Sequence, residues 1–184
     1  MKPTEELKKE HETIKMMLSI LDKISKKLEA EQIVTVKDLT EIMEFIRVFA
    51  DRCHHRKEEE ILFPALESAG VARERGPIDV MLYEHDEGRQ FVKGMNEALG
   101  KIKEGDKKAG FEFARNAQNY VQLLTSHIEK EDNILYPMAE AKLSPTIQIK
   151  LVQGFETIER EVVGPGKHQE FERLLSRLEQ EYLK

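Results

Sequence analysis

Two stretches of the chain carry the same side chains in the same order. His54-His55-Arg56-Lys57-Glu58-Glu59-Glu60-Ile61-Leu62-Phe63-Pro64 matches His127-Ile128-Glu129-Lys130-Glu131-Asp132-Asn133-Ile134-Leu135-Tyr136-Pro137 at an offset of 73 residues. Glu10-His11 and Glu84-His85 repeat at an offset of 74. On a helix, residues four apart share a face, so His54 stands beside Glu58 and His127 beside Glu131. Phe113, Ala117, Tyr120, Leu124, Ile134 and Met138 fall on the His127 side of their helix, within about 80° at about 100° per residue. Leu7, Ile14 and Leu18 share the face of His11, and Met81, Val92 and Leu99 that of His85. Four histidines and two glutamates are therefore expected to point into an apolar interior. An ionised carboxylate buried without a partner costs several kcal/mol, and no Lys or Arg repeats on those inner faces. A pair of divalent cations would neutralise both acids, with imidazoles completing the shells. Imidazole and carboxylate without thiolate suit iron, manganese or zinc. Two carboxylates shared among four imidazoles leave each metal short of six ligands and open to a small molecule.

The elements that must hold these residues read as helices. Apolar residues at three- and four-residue steps predict helices over about 3–30, 36–67, 78–103 and 107–142, with Gly70, Gly76-Pro77 and Gly105 between them. Pro3 and the acidic pair Glu5 and Glu6 suit a helix start. Four long helices with short connections prefer an antiparallel up-down bundle, and the doubled motif makes it a duplicated hairpin with an approximate internal two-fold. The expected fold is all-α: residues 1–142 form the bundle with its dinuclear metal site, and 143–184 form a helical extension. Ser144-Pro145 opens the first tail helix, and Gly164-Pro165-Gly166 separates it from a last amphipathic one. These two C-terminal helices are expected to pack on the bundle, the alternatives being a homodimer contact or a lid over the bundle end.

Composition narrows the classes of function. The chain has 184 residues, 35 acidic against 29 basic, and a net charge of −6, which argues against a nucleic-acid partner. No stretch approaches the roughly 20 apolar residues of a membrane span, and the opening MKPTEELKKEHE is too charged for a secretory leader. A single cysteine, Cys53, cannot form an internal disulfide, so a cytoplasmic location is expected.

The residues Cys53 to Leu66, Glu84 to Arg89 and His127 to Asp132 resemble the hemerythrin-like family, the HHE cation-binding domain, over roughly residues 1–142. The resemblance implies a four-helix bundle holding two iron ions bridged by carboxylates and an oxo or hydroxo group. His11, His54, His85 and His127 would be terminal ligands, and Glu58 and Glu131 the bridges. Oxygen-carrying members have a fifth histidine one turn after the third-helix one, where this chain has Arg89. Their last carboxylate is an Asp five residues after its His, where this chain has a Glu four after. The pattern is nearer the four-His, two-Glu sites of members linked to iron–sulfur repair, nitric oxide handling or iron sensing. The expected function is binding or reduction of a small oxidant such as oxygen, peroxide or nitric oxide. The alternatives are a non-catalytic module that stores or senses iron or a diatomic gas through the tail helices, and a metal-free helical interaction domain.

Six further residues are read on their own. His55, whose repeat partner is Ile128, is placed on the helix flank or behind the ligands, with ligation as the alternative. Glu59 and Asp132, one residue past the bridges, are read as facing solvent, with orientation of ligand histidines as the alternative. Tyr120 is read as a core residue, the alternative being that it lines the pocket or carries an electron. Arg89 is read as a salt-bridged surface residue, the alternative being a cation near the vacancy that attracts anionic ligands. Cys53 is read as buried and inert.

Overall fold

The computed structural model describes residues 2–164 and 166–184. Every regular element among them is helical. The first rod is α1, Pro3–Glu29. The second runs without a break through α2, Val36–Phe45, two π-helical stretches, π1, Ile46–His55, and π2, Glu58–Leu62, and α3, Phe63–Ser68. The third is α4, Pro77–Lys103, and the fourth is α5, Ala109–Lys130, continued by π3, Glu131–Leu135, and α6, Tyr136–Lys142. The tail forms α7, Pro145–Val162, and α8, Lys167–Tyr182. The four rods form an all-α bundle carrying two extra C-terminal helices. The Pro165 of the expected tail break lies outside the described residues.

Local chemistry sets the ends of these rods. Glu5 accepts a hydrogen bond from the Lys2 backbone N–H at 2.8 Å, holding the entry to α1 beside Pro3. Thr35 caps α2 by accepting from the Asp38 N–H at 3.1 Å, and Ser144 caps α7 in front of Pro145. Gly70 and Gly105 close the second and third rods at φ +87° and +92°, conformations that L side chains resist.

Two apolar layers fill the interior. One gathers Ile14, Leu18, Leu21, Phe45, Phe49, Met95, Phe113 and Leu124, and α8 adds Phe171, Leu175 and Leu178 to it. The other gathers Leu7, Leu62, Phe63, Leu66, Met81, Leu135 and Tyr136, and α7 adds Leu151 and Phe155. Along each rod, the histidines and glutamates of the motif fall between the residues of one layer and those of the other. Ile134, expected on the inner face, is instead 56% exposed, while Leu135 and Tyr136 are buried. The cause is π3: a π turn holds more residues than an α turn, so spacing counted at a constant α-helical angle drifts past it.

Candidate metal centre

The six residues singled out by the repeat meet in one place. His11, His54, His85, His127, Glu58 and Glu131 are each at most 1% exposed. Glu131 lies between two imidazoles, its oxygens 3.2 Å from His11 Nε2 and 3.1 Å from His127 Nε2. Glu58 lies between the other two, with Oε2 3.4 Å from His85 Nε2 and 3.7 Å from His54 Nε2. His85 Nε2 and His127 Nε2 are 3.1 Å apart. Both glutamates open the π turns π2 and π3, whose wider backbone places them.

One device orients all four rings. Each Nδ1 faces a carboxylate on a different rod: His11 to Asp132 at 2.7 Å, His54 to Glu10 at 2.8 Å, His85 to Glu59 at 2.7 Å and His127 to Glu84 at 2.8 Å. Donating that proton leaves Nε2 a lone pair aimed at the centre. A cation stands behind each acid: Lys15 on Asp132, Lys57 on Glu10, Arg89 on Glu59 and Lys130 on Glu84. Every part of this set has its repeat partner. Glu59 and Asp132 therefore do not face solvent as read from sequence; they fix His85 and His11. Glu10 and Glu84 were missed as orienting groups, although both precede a repeated histidine. Their reach is across helices, which same-face spacing does not register.

The donor set fits cations. Glu58 Oε2 and both Glu131 oxygens are buried without a hydrogen-bond partner, although nitrogens stand close by. Lone pairs of imidazole turned on carboxylate oxygens, and on each other, repel unless a positive charge lies between them. Two groups of ligating atoms lie within 4.8 Å of one another: His11, His54, Glu58 and Glu131, and His55, Glu58, His85 and His127. Glu58 belongs to both, as a bridge would. Without a cation, protons must serve instead. Burial opposes charge on His11 and His127, yet the facing carboxylates outweigh it and raise them to about 9 and about 10. Burial and the charge of Glu131 push Glu58 up, while His127 and His11 hold Glu131 low against its own burial.

Two substitutions between the halves change what meets the central residues. Tyr136, repeat partner of Phe63, donates its hydroxyl to Glu58 Oε1 at 2.7 Å and lies 3.3 Å from His11 Nε2. His55, repeat partner of Ile128, is 4% exposed and stacks on His85 rather than lying on the helix flank. A cavity of about 310 Å³ opens beside His55 and His85, lined also by Tyr120 and Gly88, with Arg47, Arg89 and Lys93 set against Asp51 and Glu97. Arg89 is ion-paired with Asp51, Glu59 and Asp86, as its surface reading expected, and also lines this cavity. Tyr120 is a core residue with a cavity face. Cys53 is buried, and burial pushes its thiol up to about 12, leaving no thiolate near neutral pH.

A helical bundle with a buried His and Glu cluster of this kind defines a cation-binding protein. The chain belongs to the hemerythrin HHE cation binding domain family, whose model matches residues 2–139. It is 26% identical over 165 residues to uncharacterised proteins of Mycobacterium tuberculosis and Mycobacterium bovis, covering 90% of this chain and 64% of theirs. It is 32% identical over 90 residues to the iron-sulfur cluster repair protein YtfE of Escherichia coli, and 31% to that of an Enterobacter species, covering 48% of this chain and 41% of each. The chain thus spans less than two thirds of the length of these relatives.

Proposed function

We propose that the chain is a non-haem di-iron protein that binds or reduces a small oxidant: oxygen, peroxide or nitric oxide. One position would be held by His11 and His54, the other by His85 and His127, with Glu58 and Glu131 bridging. Manganese or zinc would suit the same donors. The observation that carries this reading is the pair of buried ligand groups sharing Glu58, with three carboxylate oxygens lacking partners. When bound, two iron ions would supply Lewis acidity and electrons for a two-electron reduction. The chain supplies the rest. The Nδ1 carboxylates hold the rings, and the apolar layers exclude water. The cavity beside His85 offers a route for a small molecule, and Tyr136 keeps a proton at Glu58 Oε1. Residues 1–142 carry the site and 143–184 cover it from outside. No helix among the described residues is long and apolar enough to cross a membrane. The cytoplasmic location we propose rests on the lone Cys53, which cannot form an internal disulfide.

A second reading is a non-catalytic module that stores or senses iron or a gas. It is favoured by the ion-pair path from His54 through Glu10 and Lys57 to Glu159 on α7. The likeness to iron-sulfur cluster repair proteins is compatible with both. Anaerobically purified protein is expected to hold two iron ions per chain. Steady turnover of peroxide or nitric oxide with a reductant supports the enzyme, and a stable adduct without turnover supports the binder. Less than one transition metal per chain would defeat both readings.

A further inference from the structure

We propose that His55 is a fifth imidazole ligand, supplied by the second rod to the metal position of His85 and His127 alone. The inference rests on the dinuclear reading above and goes beyond its six residues. His55, like the other four rings, turns its Nδ1 toward a carboxylate, here one on its own rod. Its Nδ1 is buried and faces Asp51 Oδ1, at 3.5 Å, beyond hydrogen-bond geometry. Asp51 in turn accepts from Arg89 Nε at 2.9 Å, just as Glu59 behind His85 accepts from Arg89 at 2.6 Å. One guanidinium therefore braces the acids behind two neighbouring imidazoles. With Nδ1 turned to Asp51, Nε2 is the atom left to ligate. A ring nitrogen of His55 lies within 4.8 Å of donor atoms of Glu58, His85 and His127, a span that ligands of one ion require.

The ring planes set a condition on this placing. His55 stacks on His85, with centroids 4.0 Å apart and planes at 19°, so the His55 ring must turn for its Nε2 to share an ion with His85. His55 is 6.0 Å from His127 at 77°. The local backbone explains why only one half has the extra ring. π1 spans Ile46–His55 and buries both His54 and His55, whereas the equivalent stretch of the fourth rod is regular α-helix and buries Ile128 beside His127. The centre would then be asymmetric, with three imidazoles on one ion and two on the other. The cavity of about 310 Å³ reaches both His55 and His85, so a small heterocycle added to the solution has a route to this position.

The test loads metal-free protein anaerobically with ferrous iron alone. The native chain is expected to take two irons with two unequal Mössbauer doublets of equal area. His55→Ala is expected to keep one iron unchanged and bind the other about 10–100-fold more weakly, comparable to losing a group that supports a ligand. Millimolar imidazole should restore the second iron and its doublet. Far-ultraviolet circular dichroism of the metal-free variant reports its folding. If His55→Ala does not fold, Asp51→Asn, which keeps the ring, is expected to weaken the same iron by about tenfold. Native affinity and native doublets in the folded variant would overturn the proposal, and so would weakening that imidazole does not rescue, which would assign His55 to packing. A native chain that takes fewer than two irons would instead defeat the dinuclear reading, and this proposal with it.

Discussion

The carboxylates at the centre divide by what they touch. Glu131 meets His11 and His127, and its oxygens have no other partner, so its removal deletes a bridge between two rods. Glu59 touches the outer nitrogen of His85 and the Arg89 guanidinium, and does not reach the centre itself. Glu131→Ala is therefore expected to release most bound metal on anaerobic gel filtration, whereas Glu59→Gln should retain it with affinity reduced about 10–100-fold. Equal metal content in the two variants would contradict the assigned register. Tyr136→Phe tests the other asymmetric position. The repeat partner Phe63 shows that a phenyl ring fits the bundle there, but Glu58 Oε1 would lose its donor. The metal-free variant should be about 1–3 kcal/mol less stable to denaturant than the native chain, and unchanged stability would remove Tyr136 from the site. At this scale the six central residues were legible because duplication marked them twice. His55 was left open between packing and ligation, because its partner is Ile128 and the repeat argued against a ligand there. Lys15 and Lys57 were not legible, because their meaning depends on acids contributed by other rods.

The rods themselves were legible from apolar spacing, capping residues and glycine stops, since those signals are local. The π turns were not, because they arise where packing at the centre overrides the α-helical period, and they account for the outward turn of Ile134. The packing of α8 on the bundle was expected from its amphipathic face, but what anchors it was not. Its polar anchor is Asp38 on α2, which accepts from Arg177 at 2.8 Å and from the Tyr182 hydroxyl at 2.6 Å, with Thr35 close by. Burial works against the Asp38 charge, but these donors outweigh it and hold its carboxyl below the usual 3.8. A depressed folded value contributes stability above the unfolded value and loses it as pH falls through the folded one. Asp38→Asn should cost about 1–3 kcal/mol near neutral pH. The difference between native and variant metal-free proteins should close as pH falls below 3.8. Comparing the two at each pH cancels the titration of the metal centre, and a gap that persists in acid would rule out the carboxylate as the anchor.

At the scale of the molecule, the tail breaks the two-fold symmetry that the duplication set up. Lys57 and Lys130 are repeat partners, and each backs the acid that orients a histidine, Glu10 for His54 and Glu84 for His127. α7 lies over the first of them and leaves the second open. Lys57 is fully buried among Glu6, Glu10 and Glu159, with the Phe155 ring 5.6 Å from its ammonium, while the Lys130 side chain is 34% exposed. Burial disfavours the Lys57 charge, but Glu10 and its neighbours outweigh this and raise its affinity for the proton. The same substitution should therefore have unequal effects. Lys57→Met leaves Glu10 buried without its cation, the situation that costs about 3–5 kcal/mol. Lys130→Met removes a partly exposed pair and should cost under about 1 kcal/mol. Denaturant unfolding of the two metal-free variants measures this contrast. Iron titration should then show Lys57→Met weakening the ion of His11 and His54 more than Lys130→Met weakens that of His85 and His127. Through Lys57, the seating of α7 and the affinity of one metal position are coupled, and coupling of this kind is reciprocal. Equal costs in the two variants would mean that the tail covers the bundle without acting on its centre.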